Sequence, residues 1–211
     1  MKTKILDQLF LRYPPLEVCR PEVEAACEAV INSYRHGGKV LVCGNGGSAA
    51  DADHIVGELM KSFEGKRPLD DKIKRRLEKT EPQRGHYIAG KLQQGLPAIS
   101  LNAHTALITA TANDLDPALI FAQQVAGYGR AGDVMIAIST SGNSQNVTDA
   151  AITAKAMGLT VIGMTGEGGG KLKETCDIII RVPASRTAEV QEYHLPVYHT
   201  LCRVVEEEVF G

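Results

Sequence analysis

Two short loops in this chain carry side chains dense enough in polar groups to bind a ligand. They are "GNGGS" (44–48) and "STSGNS" (139–144), and each follows an apolar run. In the second, Ser139, Thr140, Ser141 and Ser144 supply four hydroxyls within six residues, and a helical pattern starts at once. Hydroxyls beside the unpaired amides of a helix start form an anion site that needs no lysine. A phosphate monoester is the natural guest, although a serine-rich turn with an ordinary N-cap reads the same way. The first loop also fits Gly-x-Gly-x-x-Ala through Gly44, Gly46 and Ala49, the weak form of a dinucleotide fingerprint. That fingerprint requires an acidic residue about 20 positions on, at the end of the next strand. The next strand here ends in Ser100-Leu101-Asn102, so a nicotinamide site is disfavoured. "TGEGGGKL" (165–172) fails as a nucleotide phosphate loop, because Thr165 holds the first glycine position and Leu172 follows the lysine.

A third set of residues could hold a metal. His54 and Glu58 are four residues apart, on one face of any helix that contains them. Imidazole and carboxylate both suit zinc, but surface pairs at this spacing are common. Near the C-terminus, "AEVQEYHLPVYHTLCRVVEEEVF" (188–210) is amphipathic, with Gln191 and His199 eight residues apart and nearly on one face. Pro196 lies between them, and an interior proline is expected to kink the helix. His194 points in a different direction from His199 and is expected to be a neighbour rather than a ligand.

These groups need a scaffold. Five short runs, at 39–44, 96–101, 133–139, 159–165 and 176–182, are continuously apolar, as strands buried on both faces require. Helical patterns lie between them. Residues 144–158, for example, turn Val147, Ala151 and Ala154 inward and stop at Gly158. Such alternation implies a parallel sheet with right-handed crossovers. Residues 20–36 carry Val23, Cys27, Val30, Ile31 and Tyr34 on one helical stripe, with Pro21 in the first turn and Gly37-Gly38 at the stop. We therefore expect one α/β domain over residues 1–211, with N-terminal helices over 1–37. In such a sheet ligands collect beyond the carboxyl ends of the strands, where strand order reverses. Residues 64–95 break the rhythm. They are highly charged and long for a connection, and are expected to hold one or two short helices. A solvated excursion, a flap and an oligomer contact are all open to them.

Composition narrows the function classes. The 211 residues are 44% hydrophobic, and the net charge of -2 leaves no footprint for nucleic acid or an anionic membrane. No apolar run approaches the ~20 residues of a membrane span. The first residues, with Asp7 inside their apolar part and no small-residue cleavage site, read as a helix rather than a signal peptide. Five cysteines without a CxxC pair suggest buried thiols in a reducing cytoplasm.

In combination and in order, "GNGGSAADADH…E", "STSGNS" and "RTAEVQEYHLPVYH" resemble the bacterial phosphoheptose isomerases of the sugar isomerase (SIS) superfamily, over roughly residues 20–64 and 96–210. The resemblance implies a flavodoxin-like three-layer α-β-α sandwich around a five-stranded parallel sheet, and a homotetramer with active sites shared between subunits. It implies conversion of sedoheptulose 7-phosphate to D-glycero-D-manno-heptose 7-phosphate, the step that begins heptose supply for lipopolysaccharide. One zinc per subunit would be held by His54, Glu58, Gln191 and His199. Substrate would be met by Asn45, Gly46, Gly47, Asn113, Asp114, Ser139, Thr140, Ser141, Ser144 and Gln191. Glu58 would be the base and His199 its acid–base partner, with Asp114 an accessory proton carrier or only a helix-terminal aspartate. Manganese, iron or nickel would also suit such donors. The superfamily includes binding-only members, some of which bind the replication initiator protein, so a non-catalytic sugar-phosphate or protein-binding module is the competing expectation. An isomerase for a different sugar phosphate is a third.

Overall fold

The computed structural model of the chain describes residues 2–211. It opens with α1 (Lys2–Arg12), a 3-10 segment (Pro14–Cys19) and α2 (Arg20–Arg35), followed by β1 (Val40–Cys43) and α3 (Gly47–Met60). The charged segment forms α4 (Asp71–Thr80) and α5 (Pro82–Lys91). Then come β2 (Ala98–Ser100), α6 (Thr105–Asp114), α7 (Ala122–Tyr128), β3 (Val134–Ile138), α8 (Gln145–Ala156), β4 (Thr160–Thr165), α9 (Leu172–Thr175), β5 (Ile178–Arg181) and α10 (Thr187–Phe210). Each strand falls inside one of the apolar runs. All pairings are parallel, and the order β2-β1-β3-β4-β5 is the flavodoxin-like one.

Alternate strand residues feed two cores, which makes the sandwich three-layered. Val40, Val42, Ile136, Ile138, Ile162 and Met164 pack with α1, α2, α3 and α10. Leu41, Cys43, Met135, Ala137 and Val161 pack with α7, α8 and α9. The three inner strands are buried along nearly their whole length, whereas the edge strands β2 and β5 are only partly so. That explains why the inner runs show no polar alternation. Register pairs Cys43 with Ala137, so the loops at 44 and 139 leave adjacent strands side by side, where the strand order reverses.

The segment 64–95 is a helical hairpin packed mainly on itself. α4 buries no residue. Asp70 caps α4 by accepting from the amides of Lys72 and Ile73, and Glu81 caps α5 by accepting from that of Arg84. Its base is closed by Ser62 N–H donating to Gln93 Oε1 at 3.0 Å and Gln94 N–H donating to the Arg67 carbonyl at 2.9 Å. Below the base, Arg67 is fully buried. It donates to Glu206 at 2.6 Å and to the carbonyls of Leu59 and Glu58 at 2.6 and 3.1 Å. Those carbonyls lie in the last turn of α3, where no helical amide can reach them. Glu206 also accepts from the amides of Phe63, Glu64 and Gly65 at 2.8–2.9 Å.

The helix continues through Pro196: α10 runs as one helix of 24 residues. Its missing amide costs one bond of a long ladder, while α1, α2 and α3 all pack on the helix, and Pro196 itself is buried. Tertiary burial outweighs the local penalty.

Candidate active site

The two polar loops form one cleft of about 340 Å³, lined by Asn45, Gly46, Gly47, Ser48, Ser139, Thr140 and Ser144 and closed by Thr187 and Gln191 of α10. Gly46 adopts φ +57°, a backbone region closed to most L side chains, and this turns the chain from β1 into α3. At Gly47 the need is space: a Cβ there would lie 2.5 Å from Gln191 Nε2. Ser139 and Ser144 hydroxyls meet at 3.0 Å. No side chain caps α8, whose N-cap Ser144 lines the cleft, so its first amides have no helical acceptor. An anion held by these hydroxyls would complete that cap.

Three polar residues that line the cleft or bond to its loops escaped the sequence reading. Asn146 exchanges two hydrogen bonds with Asn45, at 2.8 and 3.0 Å, and so ties one loop to the other. Asn102 does the same for Gly44, accepting from its amide at 3.2 Å and donating to its carbonyl at 2.7 Å. Thr187 begins α10 beside the serine loop. Asparagines two residues into a helix and two past a strand carry no pattern that would single them out.

Two turns along α3, His54 Nε2 lies 3.1 Å from Glu58 Oε1 and 3.4 Å from His199 Nε2. Helices distant in sequence thus bring their ring nitrogens to one point. Phe63 lies against His199 with ring centroids 5.4 Å apart. Burial, and then the neighbouring His54, lower the His199 pKa. Behind His54, the hydroxyl of buried Tyr198 lies 3.0 Å from Nδ1 and 3.2 Å from Asp51 Oδ1. Burial raises the Asp51 pKa against the lowering pull of Tyr198 and His54. His194 is wholly buried on the opposite side of α10.

Among the described residues no group of three or more His, Cys, Asp or Glu is placed to hold a metal ion as it stands. What the structure does offer is spacing. Donors on adjacent corners of a tetrahedron stand about 1.6 times the metal–ligand distance apart, or about 3.3 Å for a zinc with bonds near 2.0–2.1 Å. The contacts of 3.1 and 3.4 Å match that separation, and two imidazoles with one carboxylate are suitable donors. Two pair distances, His54 to Glu58 and His54 to His199, are thus of a length that a shared divalent ion would set.

Other site expectations are placed elsewhere. Gln191 sits over Gly47 in the cleft, about 12 Å along α10 from His199 by helical rise. Ser141 is exposed, and its hydroxyl accepts from the Asn143 amide at 3.2 Å rather than facing the cleft. Asn113 and Asp114 end α6, are exposed and hydrogen-bond each other at 2.7 Å. They are outside the cleft because α6 follows the edge strand β2, away from the β3 loop.

With this geometry in view, the relatives are informative. The SIS domain family matches residues 17–91 and 88–166. The chain is 42% identical to a phosphoheptose isomerase of Rhodospirillum rubrum over 189 residues, which is 90% of this chain and 87% of that protein. It is 41% identical to one of Clostridium acetobutylicum, covering 90% and 84%. Among solved structures, the phosphoheptose isomerase of Francisella tularensis superposes with a TM-score of 0.76 at 32% identity, covering 95% of this chain and 92% of that one. GmhA of Neisseria gonorrhoeae superposes with a TM-score of 0.72 at 32% identity, covering 98% and 93%. The chain belongs to the phosphoheptose isomerase family of SIS-domain enzymes.

Proposed function

We propose that the protein isomerises D-sedoheptulose 7-phosphate to D-glycero-D-manno-heptose 7-phosphate. The observation that carries this reading is the meeting of His54, Glu58 and His199 two helical turns below a hydroxyl-lined anion cleft. Gly47 and His54 are seven residues apart on α3, about 10 Å by helical rise. An extended chain of seven carbons with its phosphate ester spans roughly the same distance. A phosphate anchored by Ser139, Ser144 and the α8 amides would thus place C1 and C2 beside Glu58 and His199.

The reaction moves one proton between carbons and one between oxygens. Glu58 takes a proton from C1 of the ketose and returns it to C2. His199 passes the O1 proton to O2, which leaves the aldehyde at C1 and a hydroxyl at C2. Gln191, which sits over Gly47 in the cleft, would meet the phosphate end of the substrate. His54, Glu58 and His199 would hold a zinc ion, one per subunit, and the ion would supply polarisation of the C1 and C2 oxygens. Glu58 has two oxygens for two tasks: Oε1 faces His54, and Oε2 lies 3.4 Å from Lys61. In a homotetramer, Asn113 and Asp114 could complete a neighbour's site, consistent with their exposure at the end of α6. Five thiols in no disulfide accord with a reducing cytoplasm, and a heptose phosphate product accords with lipopolysaccharide supply.

The test is to strip the purified protein with a chelator, restore zinc, add sedoheptulose 7-phosphate and follow the aldose phosphate by NMR. Turnover restored by zinc and abolished in folded Glu58→Gln is the expected result. Absence of turnover in the folded, zinc-loaded tetramer refutes the reading. Light scattering of the same sample tests the tetramer.

A further inference from the structure

We propose that Tyr198 and Asp51 are positioning residues that hold His54 as its Nδ1–H tautomer, so that its Nε2 lone pair faces Glu58 and His199. The inference rests on the metal reading above for its purpose, but not for its geometry. Proton counting carries it. The Tyr198 hydroxyl has a single proton and two neighbours, Asp51 Oδ1 at 3.2 Å and His54 Nδ1 at 3.0 Å. An ionised aspartate can only accept, and its other oxygen, Oδ2, is buried with no partner among the described residues. The hydroxyl proton therefore goes to Asp51. The tyrosine oxygen then accepts from His54, whose proton must be on Nδ1.

The opposite tautomer would let Nε2–H donate to Glu58 Oε1 at 3.1 Å. Nδ1 and Asp51 would then both need the one Tyr198 proton, and one contact would set lone pair against lone pair. That loss would fall on Tyr198, which is 1% exposed. In the proposed arrangement the unsatisfied contact lies instead at Nε2, on a side chain 42% exposed, where water or a cation can enter. A polar mismatch costs most where water cannot relieve it, so the buried links decide the tautomer. A histidine fixed in this way presents a ready lone pair to a metal, and loss of such a partner typically weakens metal affinity about 10–100-fold.

The experiment uses the full-length chain. Long-range proton–nitrogen NMR of histidine-labelled, metal-free protein, at a pH where His54 is neutral, reads its tautomer. Chelator competition reads zinc affinity in wild type, Tyr198→Phe, Asp51→Ala and the double variant. Expected are Nδ1–H in wild type, Nε2–H in Tyr198→Phe and zinc binding weakened about 10–100-fold. The double variant should be no weaker than Tyr198→Phe alone, because Asp51 acts through the hydroxyl. Thermal melts confirm that each variant is folded; should Tyr198→Phe fail to fold, the wild-type tautomer alone decides. A wild-type Nε2–H tautomer overturns the proposal even if zinc binds and sugar turns over. The expected tautomer without zinc binding upholds the relay and refutes the metal reading instead.

Discussion

The Arg67–Glu206 pair offers the sharpest test of how the scaffold holds the site. In Arg67→Met, a fully buried guanidinium with three hydrogen bonds is replaced by an apolar chain of similar length. Breaking one partner of a buried pair costs about 3–5 kcal/mol. Here Glu206 keeps three amide donors, from Phe63, Glu64 and Gly65, which softens its isolation. At the negative end of α3 the Glu58 carbonyl loses the Arg67 donor, whereas that of Leu59 keeps the Leu96 amide at 2.9 Å. The lower end, about 3 kcal/mol, is therefore expected, or a fall in Tm of about 6–12 °C for a chain of this size. Urea and thermal unfolding of Arg67→Met, Glu206→Gln and the double variant would measure it. The double variant should lose less than the sum, with a coupling of about 0.5–3 kcal/mol. The pair also has a pH signature. Burial alone would raise the Glu206 pKa, but the three amides and Arg67 outweigh it and leave the pKa lowered. A carboxylate depressed in the native state contributes stability that is present above its unfolded value near 4.5 and lost as pH falls through the native value. Arg67→Met should flatten that acid loss. A variant within 1 kcal/mol of wild type, with unchanged acid unfolding, would refute the reasoning.

Three further outcomes follow from the geometry. Ser144→Ala removes a hydroxyl that meets Ser139 in the cleft; with a charged phosphate as partner, KM should rise about 10–100-fold with kcat little changed, by steady-state kinetics. Gly47→Ala sets a Cβ 2.5 Å from Gln191 Nε2, the end of a flexible side chain, so substrate affinity should fall while the melting curve shifts by less than about 1 kcal/mol. For His194, burial lowers the pKa to about 4, and the backbone of Thr165 offsets only part of that. The unfolded chain then binds the extra proton between the ordinary histidine value of 6.5 and about 4, so stability should fall on acidification through that window. The slope is up to about 1.4 kcal/mol per pH unit, and His194→Leu should flatten it in pH-dependent thermal melts.

The strand runs, the helices between them and the two loops at the sheet's carboxyl end were legible in the sequence, because burial on both faces leaves continuous apolar runs and helix starts leave small polar loops. The pairing of His54 with Glu58 was legible too, since helical spacing is local. The resemblance placed His199 with them, but only the packing of α10 on α3 brings its Nε2 to 3.4 Å from His54. The same packing sends Gln191 to the cleft between the two polar loops, and the edge position of β2 sends Asn113 and Asp114 outside it. No local pattern joins Arg67 to Glu206, or Tyr198 to Asp51 and His54; the fold brings them together. Periodicity along one chain reports which face a residue occupies. Which two faces meet, and which single proton joins three side chains, depends on contacts between segments that the sequence separates by a hundred residues or more.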